Sequence, residues 1–139
     1  HKYNYRLMKA INNGKQMTDV WRLPAIGRWE KSCGKHPTQK PLPLLARIIL
    51  ASTDKYDWIL DPFAGSSTTG IAASLCSRRF LGIEKELEFS NLSFRRRKEL
   101  DNVCIRELYK NKKISDFAFI PSSDIVEEPH ACYGIDLPF

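Results

Sequence analysis

The residues best suited to chemistry lie in one ten-residue segment, Asp61-Pro62-Phe63-Ala64-Gly65-Ser66-Ser67-Thr68-Thr69-Gly70. It follows the short apolar run Trp58-Ile59-Leu60, which is typical of a buried strand. Gly65 permits a tight turn and a close approach of a ligand to the backbone. The hydroxyl residues after it can cap a helix and offer N–H groups to an anionic or polar ligand. The segment is therefore predicted to bind a nucleotide-type ligand at the carboxyl end of a strand.

A second candidate is Glu84, which ends the apolar run Phe80-Leu81-Gly82-Ile83. It lies 19 residues after Gly65, close to the offset of about 20 residues at which an acidic side chain binds ribose hydroxyls in doubly wound folds. Two related sites are excluded. The GxGxxG fingerprint is absent, and Ile71 and Ala72 stand where a P-loop needs Lys and Ser or Thr. The predicted ligand therefore carries a ribose and is not a triphosphate.

The elements that must position these residues follow from the apolar pattern. The order strand, glycine turn, helix, strand predicts a right-handed βαβ unit of a parallel sheet, with strands over 58–61 and 80–84 that are buried on both faces. Helices are predicted over about 41–53, with Pro41 and Pro43 in its first turn, and over about 86–109. Between the two strands, the Gly65–Gly70 loop opens a further helix, which runs through Ile71, Ala72, Leu75 and Cys76. Residues 1–35 are predicted to be irregular with short strands, such as 19–23. An acidic, loosely held tail is expected from about residue 114.

Composition and charge narrow the class of protein. The 139 residues, 42% of them hydrophobic, suffice for one domain. No apolar stretch is long enough for a membrane span. The four cysteines form no CxxC pair, which argues against a zinc site and a disulfide scaffold and fits reduced thiols in the cytoplasm. The net charge is +6, and the bases are concentrated in residues 1–40. An anionic partner such as nucleic acid, or simply a solvated surface, explains that charge.

Three motifs in order resemble one family. The Asp61–Gly70 segment resembles motif I, written DPF-x-GSGTTG, of the DNA amino-methyltransferases that use S-adenosylmethionine. His36-Pro37-Thr38-Gln39-Lys40-Pro41 resembles their motif X, and Phe80-Leu81-Gly82-Ile83-Glu84 resembles the motif II strand. Asp19-Val20-Trp21 resembles the DVW that often precedes motif X. The resemblance covers about residues 18–100. It implies a partial α/β, Rossmann-like methyltransferase fold: the motif X helix and the first βαβ unit.

The motif order resembles the β arrangement of that family, which implies a division of the chain. Residues 1–35 would end a target-recognition region, residues 36–110 would bind S-adenosylmethionine, and residues 111–139 would form a tail. In this arrangement the catalytic motif, Asp/Asn/Ser-Pro-Pro-aromatic, precedes motif X, and the sequence contains no Pro-Pro pair. The resemblance therefore implies no catalytic residue here, and an N-terminal half or separate subunit that carries this motif.

By the same resemblance, the complete enzyme transfers a methyl group to an exocyclic amine of double-stranded DNA, adenine N6 rather than cytosine N4. Such an enzyme would belong to a bacterial restriction-modification system and act in the cytoplasm, without a metal. Two other functions stay open. The chain could be a non-catalytic remnant or DNA-binding module that acts through its basic front segment, or a fragment of a small-molecule methyltransferase.

The resemblance also assigns roles to single residues. The expected cofactor-binding set comprises Thr38, Lys40, Asp61, Phe63, Gly65, Ser66, Thr68 and Glu84. Thr38 and Lys40 would reach the methionine carboxylate, and Glu84 would bind the ribose. Phe63 would lie against the adenine, or else be a core aromatic beside Trp58. Asp61 would hold the methionine amino end or the loop backbone, or simply form a turn.

Four further expectations concern neighbouring residues. Arg22 and Arg28 are expected to contact DNA phosphates. His36 is expected to have a structural role in the motif X turn. The run Arg95-Arg96-Arg97-Lys98 is expected to be a solvated helix face. Ser67 replaces the second glycine of motif I, and a positive φ there would strain it by about 1 kcal/mol or more.

Overall fold

The computed structural model describes residues 2–23 and 25–113. The described chain forms five α-helices, two strands and a 3-10 turn at Arg28–Lys31. In chain order the elements are α1 (Tyr5–Ile11), α2 (Leu42–Ser52), β1 (Trp58–Asp61), α3 (Thr68–Leu75), β2 (Arg79–Gly82), α4 (Leu87–Glu99) and α5 (Val103–Lys113). None of the helices in these two ranges is long and apolar enough to cross a lipid bilayer.

The centre of the fold is the predicted βαβ unit. β1 pairs with β2 in parallel, with Trp58 opposite Arg79 and Asp61 opposite Gly82, and α3 connects the two strands. Helix α2 begins and ends within one residue of the predicted helix. The predictions of strands, connecting helix and motif X helix are confirmed.

The core lies on one side of this sheet. Buried residues of α1, α2 and α3 pack together there, and Ile59 of β1 and Phe80 of β2 pack against them. Side chains alternate between the faces of a strand, so Trp58, Leu60 and Leu81 belong to the opposite face. They are 66%, 61% and 55% exposed. The prediction of strands buried on both faces is therefore wrong, since the described helices cover only one face.

The front segment differs from its prediction. Residues 19–23 form no strand, and the helix α1 stands where irregular chain was expected. Met8 and Ile11 of this short helix are buried in the core. Asn4, directly before α1, donates from Nδ2 to the carbonyl oxygens of Leu50 (2.9 Å) and Thr53 (2.7 Å). Packing against α2 therefore stabilises a helix too short to form by propensity alone.

The predicted helix over about 86–109 is interrupted between Leu100 and Asn102, where α4 ends and α5 follows. Oδ1 of Asn102 accepts hydrogen bonds from the N–H groups of Cys104 (2.9 Å) and Ile105 (3.3 Å). Asn102 is thus the N-cap of a new helix. The acidic tail, predicted from about residue 114, lies outside the described residues.

Candidate cofactor-binding site

A cleft of about 150 Å³ lies beside the carboxyl end of β1. Its lining comes from two separate stretches, residues 36–45 and residues 61–69. The lining includes seven of the eight residues predicted to bind the cofactor: Thr38, Lys40, Asp61, Phe63, Gly65, Ser66 and Thr68. A larger cavity of about 500 Å³, beside α1 and the C-terminal ends of α2 and α3, contains none of them. The convergence of chemically suited residues, rather than volume, makes the smaller cleft the candidate site.

The turn between β1 and α3 has an unusual backbone. Gly65 has a φ of +53° and Ser67 a φ of +56°, so the positive φ considered for Ser67 is present. The N–H of Ser67 donates to the carbonyl oxygen of Ala64 (2.7 Å). A Cβ atom at Gly65 would lie 3.0 Å from Nε2 of His36. Gly65 is thus required both by its φ and by the close approach of the histidine ring.

Asp61 holds this turn against the strand. Its Oδ2 accepts a hydrogen bond from the Thr69 hydroxyl (2.6 Å), and its Oδ1 accepts one from the N–H of Phe63 (3.1 Å). The role in holding the loop backbone, one of the three considered, is therefore visible in the contacts. Because a carboxylate offers about four acceptor sites, it still has acceptor capacity for an ammonium group.

Glu84, the eighth predicted residue, contacts the same turn but does not line the cleft. Its Oε2 accepts a hydrogen bond from the N–H of Gly65 (2.7 Å) and its Oε1 from the N–H of Glu86 (2.9 Å). These N–H groups, that of Glu86 first, hold the pKa of the Glu84 carboxyl below its ordinary value, although desolvation opposes the shift. Glu84 is therefore an ionised carboxylate that keeps lone pairs for other donors.

The motif X segment forms the other wall. The His36 ring packs edge-on against Phe89, with 4.2 Å between ring centroids. Nδ1 of His36 accepts a hydrogen bond from the N–H of Thr38 (3.3 Å), and Nζ of Lys40 donates to the carbonyl oxygen of Thr38 (2.8 Å). These contacts agree with a structural role for His36 within the turn.

Two buried side chains, absent from the predicted set, fix this wall. Nε2 of Gln39 donates to the carbonyl oxygen of Glu30 (2.9 Å), and Oε2 of Glu30 accepts from the N–H of Leu42 (3.0 Å). Glu30 therefore caps the N-terminus of α2, where a negative charge is favoured by the helix dipole. Sequence analysis missed this cap because the carboxylate comes from 12 residues upstream.

Comparison with known proteins identifies the family. The sequence profile of a family described as DNA methylase matches residues 1–95 of this chain. The chain belongs to the DNA methylase family. Members of this family use S-adenosylmethionine, which agrees with the cofactor predicted from motifs X, I and II.

Individual relatives agree with this assignment. The chain is 61% identical over 112 residues to "Type II methyltransferase M2.MboI" of Moraxella bovis, covering 81% of this chain and 41% of that protein. It is 43% identical over 105 residues to "DNA adenine methyltransferase YhdJ" of Escherichia coli K12, covering 76% of this chain and 36% of that protein. Our chain therefore spans about two fifths of the length of these relatives.

A solved structure supports the fold. The structure entitled "PVUII DNA METHYLTRANSFERASE (CYTOSINE-N4-SPECIFIC)" matches with a TM-score of 0.55 and 25% identity, covering 79% of this chain and 41% of that one. The fold of this DNA methylase chain is thus the predicted partial Rossmann-like methyltransferase fold.

In this DNA methylase chain, Phe63 lies at the rim of the cleft. Its side chain is 88% exposed, so the alternative of a core aromatic beside Trp58 is wrong. The exposed ring leaves an apolar face at the cleft for a flat ligand.

The prediction that Arg95-Arg96-Arg97-Lys98 forms a solvated helix face is wrong for Arg96. Arg95, Arg97 and Lys98 are exposed, but Arg96 is only 1% exposed. Its Nη1 donates to the carbonyl oxygen of Ser66 (2.5 Å) and contacts the hydroxyls of Ser66 (3.0 Å) and Thr68 (3.1 Å). The sequence does hold a signal for this placement. Arg96 lies midway between Leu92 and Leu100, four residues from each, on one helical face.

Arg22 and Arg28, the predicted DNA contacts, are both exposed in the front segment. Exposure is compatible with phosphate contacts, and their role stays a prediction. Within residues 2–23 and 25–113, no group of three or more His, Cys, Asp or Glu side chains could hold a metal ion.

Proposed function

We propose that this chain is the cofactor-binding part of a DNA methyltransferase. The complete enzyme would transfer the methyl group of S-adenosylmethionine to an exocyclic amine of double-stranded DNA. The observation that carries the proposal is the convergence of motif X and motif I residues on one cleft at the end of β1. Adenine N6 is favoured as the target because a relative of 43% identity is named a DNA adenine methyltransferase.

The residues of the cleft, together with Glu84 beside the turn, fit the parts of this cofactor. Glu84, ionised and with acceptor capacity remaining, would accept hydrogen bonds from the ribose hydroxyls. The exposed ring of Phe63 would lie against the adenine. Thr38 and Lys40 would bind the methionine carboxylate, and Asp61 would bind the amino group. Ser66 and Thr68 would line the middle of the site. When bound, S-adenosylmethionine supplies an activated methyl group.

A further segment would complete the enzyme. The cleft of about 150 Å³ is smaller than the roughly 300–1,000 Å³ of pockets that enclose drug-sized ligands. The sheet face with Trp58, Leu60 and Leu81 is uncovered by the described residues. We propose that an N-terminal half or separate subunit covers this face, closes the cleft and supplies the Asp/Asn/Ser-Pro-Pro-aromatic motif. That segment would position the target base after it has been flipped out of the duplex.

In this proposal residues 1–35 end a target-recognition region, residues 36–110 bind the cofactor, and residues 111–139 form a tail. In a bacterial restriction-modification system such an enzyme would act on DNA in the cytoplasm.

The cofactor site is tested by Glu84→Ala in the full chain, with titration calorimetry of S-adenosylmethionine as the measurement. Loss of a charged acceptor is worth about 1.5–3 kcal/mol per hydrogen bond, so the dissociation constant should rise about tenfold or more. DNA affinity should change little. Glu88→Ala is the matched control, since Glu88 is an exposed carboxylate of α4, four residues further on. Equal binding by wild type and Glu84→Ala would show that the ribose site is assigned wrongly.

A DNA-binding module is the second candidate function, supported by the basic front segment with exposed Arg22 and Arg28. The double variant Arg22→Ala/Arg28→Ala should weaken DNA binding and reduce its log–log salt slope by about 2, roughly 0.9 per phosphate contact. Arg95→Ala/Lys98→Ala, on exposed positions of α4, is the control of equal charge. DNA binding without cofactor binding would favour this module, and cofactor binding without DNA binding would favour a small-molecule methyltransferase.

A further inference from the structure

Arg96 is the most deeply buried charged side chain near the cleft, and no function has yet been assigned to it. It extends from α4 to the turn between β1 and α3, where its Nη1 reaches the Ser66 carbonyl oxygen and the Ser66 and Thr68 hydroxyls. Both of these residues also line the cleft. Arg96 therefore contacts the cofactor turn without itself lining the cleft.

The turn is held by opposite charges at adjacent residues. The carboxylate of Glu84 accepts the N–H of Gly65 (2.7 Å), and the guanidinium of Arg96 donates to the carbonyl oxygen of Ser66 (2.5 Å). Hydrogen bonds to charged groups are about twice as strong as neutral ones. Such a hold is needed here because Gly65 and Ser67, on either side of Ser66, both have a positive φ.

Burial of this arginine carries a cost that its three hydrogen bonds must offset. Its Nε and Nη2 atoms are buried with no hydrogen-bond partner among the described residues, and burial lowers the pKa of the guanidinium. The nearby carboxylates of Glu30 and Glu99 partly offset this cost. Replacing a whole buried ion pair by apolar side chains is often neutral for stability, whereas removing one charged partner alone is destabilising.

We propose that Arg96 is a positioning residue for the cofactor. By fixing the Ser66 carbonyl and the Thr68 hydroxyl it holds the two cleft-lining residues in the geometry that binds S-adenosylmethionine. This inference rests on the proposed function, since the ligand of the turn is the proposed cofactor. It assigns a binding role to α4, which does not itself line the cleft.

The test compares Arg96→Met with Arg97→Met in the full chain. Arg97 is the matched control, because it also links α4 to α3 but reaches Ser74 (2.9 Å), far from the turn. We expect Arg96→Met to weaken S-adenosylmethionine binding about tenfold, and to speed amide hydrogen exchange at residues 65–69 but not at the end of α3. Arg97→Met should change neither S-adenosylmethionine binding nor amide hydrogen exchange at residues 65–69. Arg96→Lys, which keeps the charge in a narrower side chain, should bind with intermediate affinity.

The outcomes separate this inference from the proposed function. Failure of the wild-type chain to bind S-adenosylmethionine would overturn the proposed function, whereas hydrogen exchange at residues 65–69 tests the hold on the turn without any ligand. If Arg96→Met binds the cofactor within twofold of wild type, or exchanges at these amides as wild type does, the positioning role is wrong. If Arg96→Met fails to fold, Arg96→Lys decides: wild-type affinity and exchange in that folded variant would also refute the role.

Discussion

At the scale of single residues, the cofactor turn combines strain with strong local hydrogen bonds. Asp61 accepts a hydrogen bond from the N–H of Phe63 at the start of the turn. Glu84 accepts one from the N–H of Gly65, and Arg96 donates one to the carbonyl oxygen of Ser66. Directly after Ser66, Ser67 adopts φ +56° and ψ +38°. A left-handed backbone costs a non-glycine residue about 1–2 kcal/mol, so the surrounding contacts must outweigh that cost.

Ser67→Gly is therefore expected to stabilise the chain. Relief of the left-handed strain should exceed the entropy that glycine adds to the unfolded state, for a net gain of about 0.5–1 kcal/mol in the free energy of unfolding. Chemical denaturation measures it. Ser74→Gly is the control: it lies in the last turn of α3 and loses the hydrogen bond from Arg97, so it should destabilise by at least about 0.5–1 kcal/mol. A loss of stability in Ser67→Gly would mean that its buried side chain contributes more than its backbone costs.

At the scale of elements, α3 and β2 approach closely around one aromatic ring. A Cβ atom at Gly70 of α3 would lie 2.6 Å from Cε1 of Phe80, and one at Gly82 of β2 would lie 2.7 Å from the same atom. The Phe80 ring thus occupies the space that two missing side chains leave. The glycine that ends motif I is required here for helix–strand packing rather than for a special φ.

Gly70→Ala is expected to destabilise the chain although alanine favours helix. The propensity gain of about 1 kcal/mol opposes an overpacking cost of about 1–3 kcal/mol, so a net loss of up to about 2 kcal/mol should appear in thermal denaturation. Phe80→Leu should relieve the clash with the ring, while the Ser67 hydroxyl, the atom nearest to this Cβ position, would still have to move. The double variant should then be more stable than the sum of the single changes predicts. Strict additivity would show that Phe80 is not the limiting contact.

At the scale of the whole molecule, the dominant feature is a sheet that residues 2–23 and 25–113 cover on one face only. A two-stranded sheet is marginal by itself and depends on the helices packed against it. The uncovered face presents Trp58, Leu60 and Leu81, each more than half exposed. Apolar surface of this kind marks an interaction site, which agrees with the proposed further segment.

Leu60→Glu/Leu81→Lys should therefore separate folding from assembly. Because both side chains are exposed, the stability of the chain alone should change by about 0.5 kcal/mol or less. Co-purification with the part of M2.MboI that this chain does not match, and DNA methylation by the pair, should both be lost. Phe94→Glu, at an exposed aromatic of α4, is the control. Full assembly of the double variant would show that the segment binds elsewhere.

Features of the fold that depend on neighbouring residues could be predicted from the sequence. The strand–turn–helix–strand order, the motif X helix and the cleft residues could all be predicted. Each depends on local patterns, such as Gly65 in a tight turn or Pro41 and Pro43 in a first helical turn. The failures have two different causes. Helix α1 depends on packing against the distant helix α2. The break at Leu100–Asn102 depends on a local cap by Asn102, which the continuous charged pattern around it conceals.

The sequence by itself determined the family, the cofactor motifs and the βαβ unit, because motif identity and apolar period are properties of neighbouring residues. Only the tertiary structure decided which side of each element is buried. Arg96 belongs to a charged run but is buried and bonded to Ser66. Trp58 and Leu60 belong to apolar strands but lie on the sheet face that the described residues leave uncovered. The physical reason is that burial depends on what packs against a surface, and that partner lies far away in the chain or in a further segment.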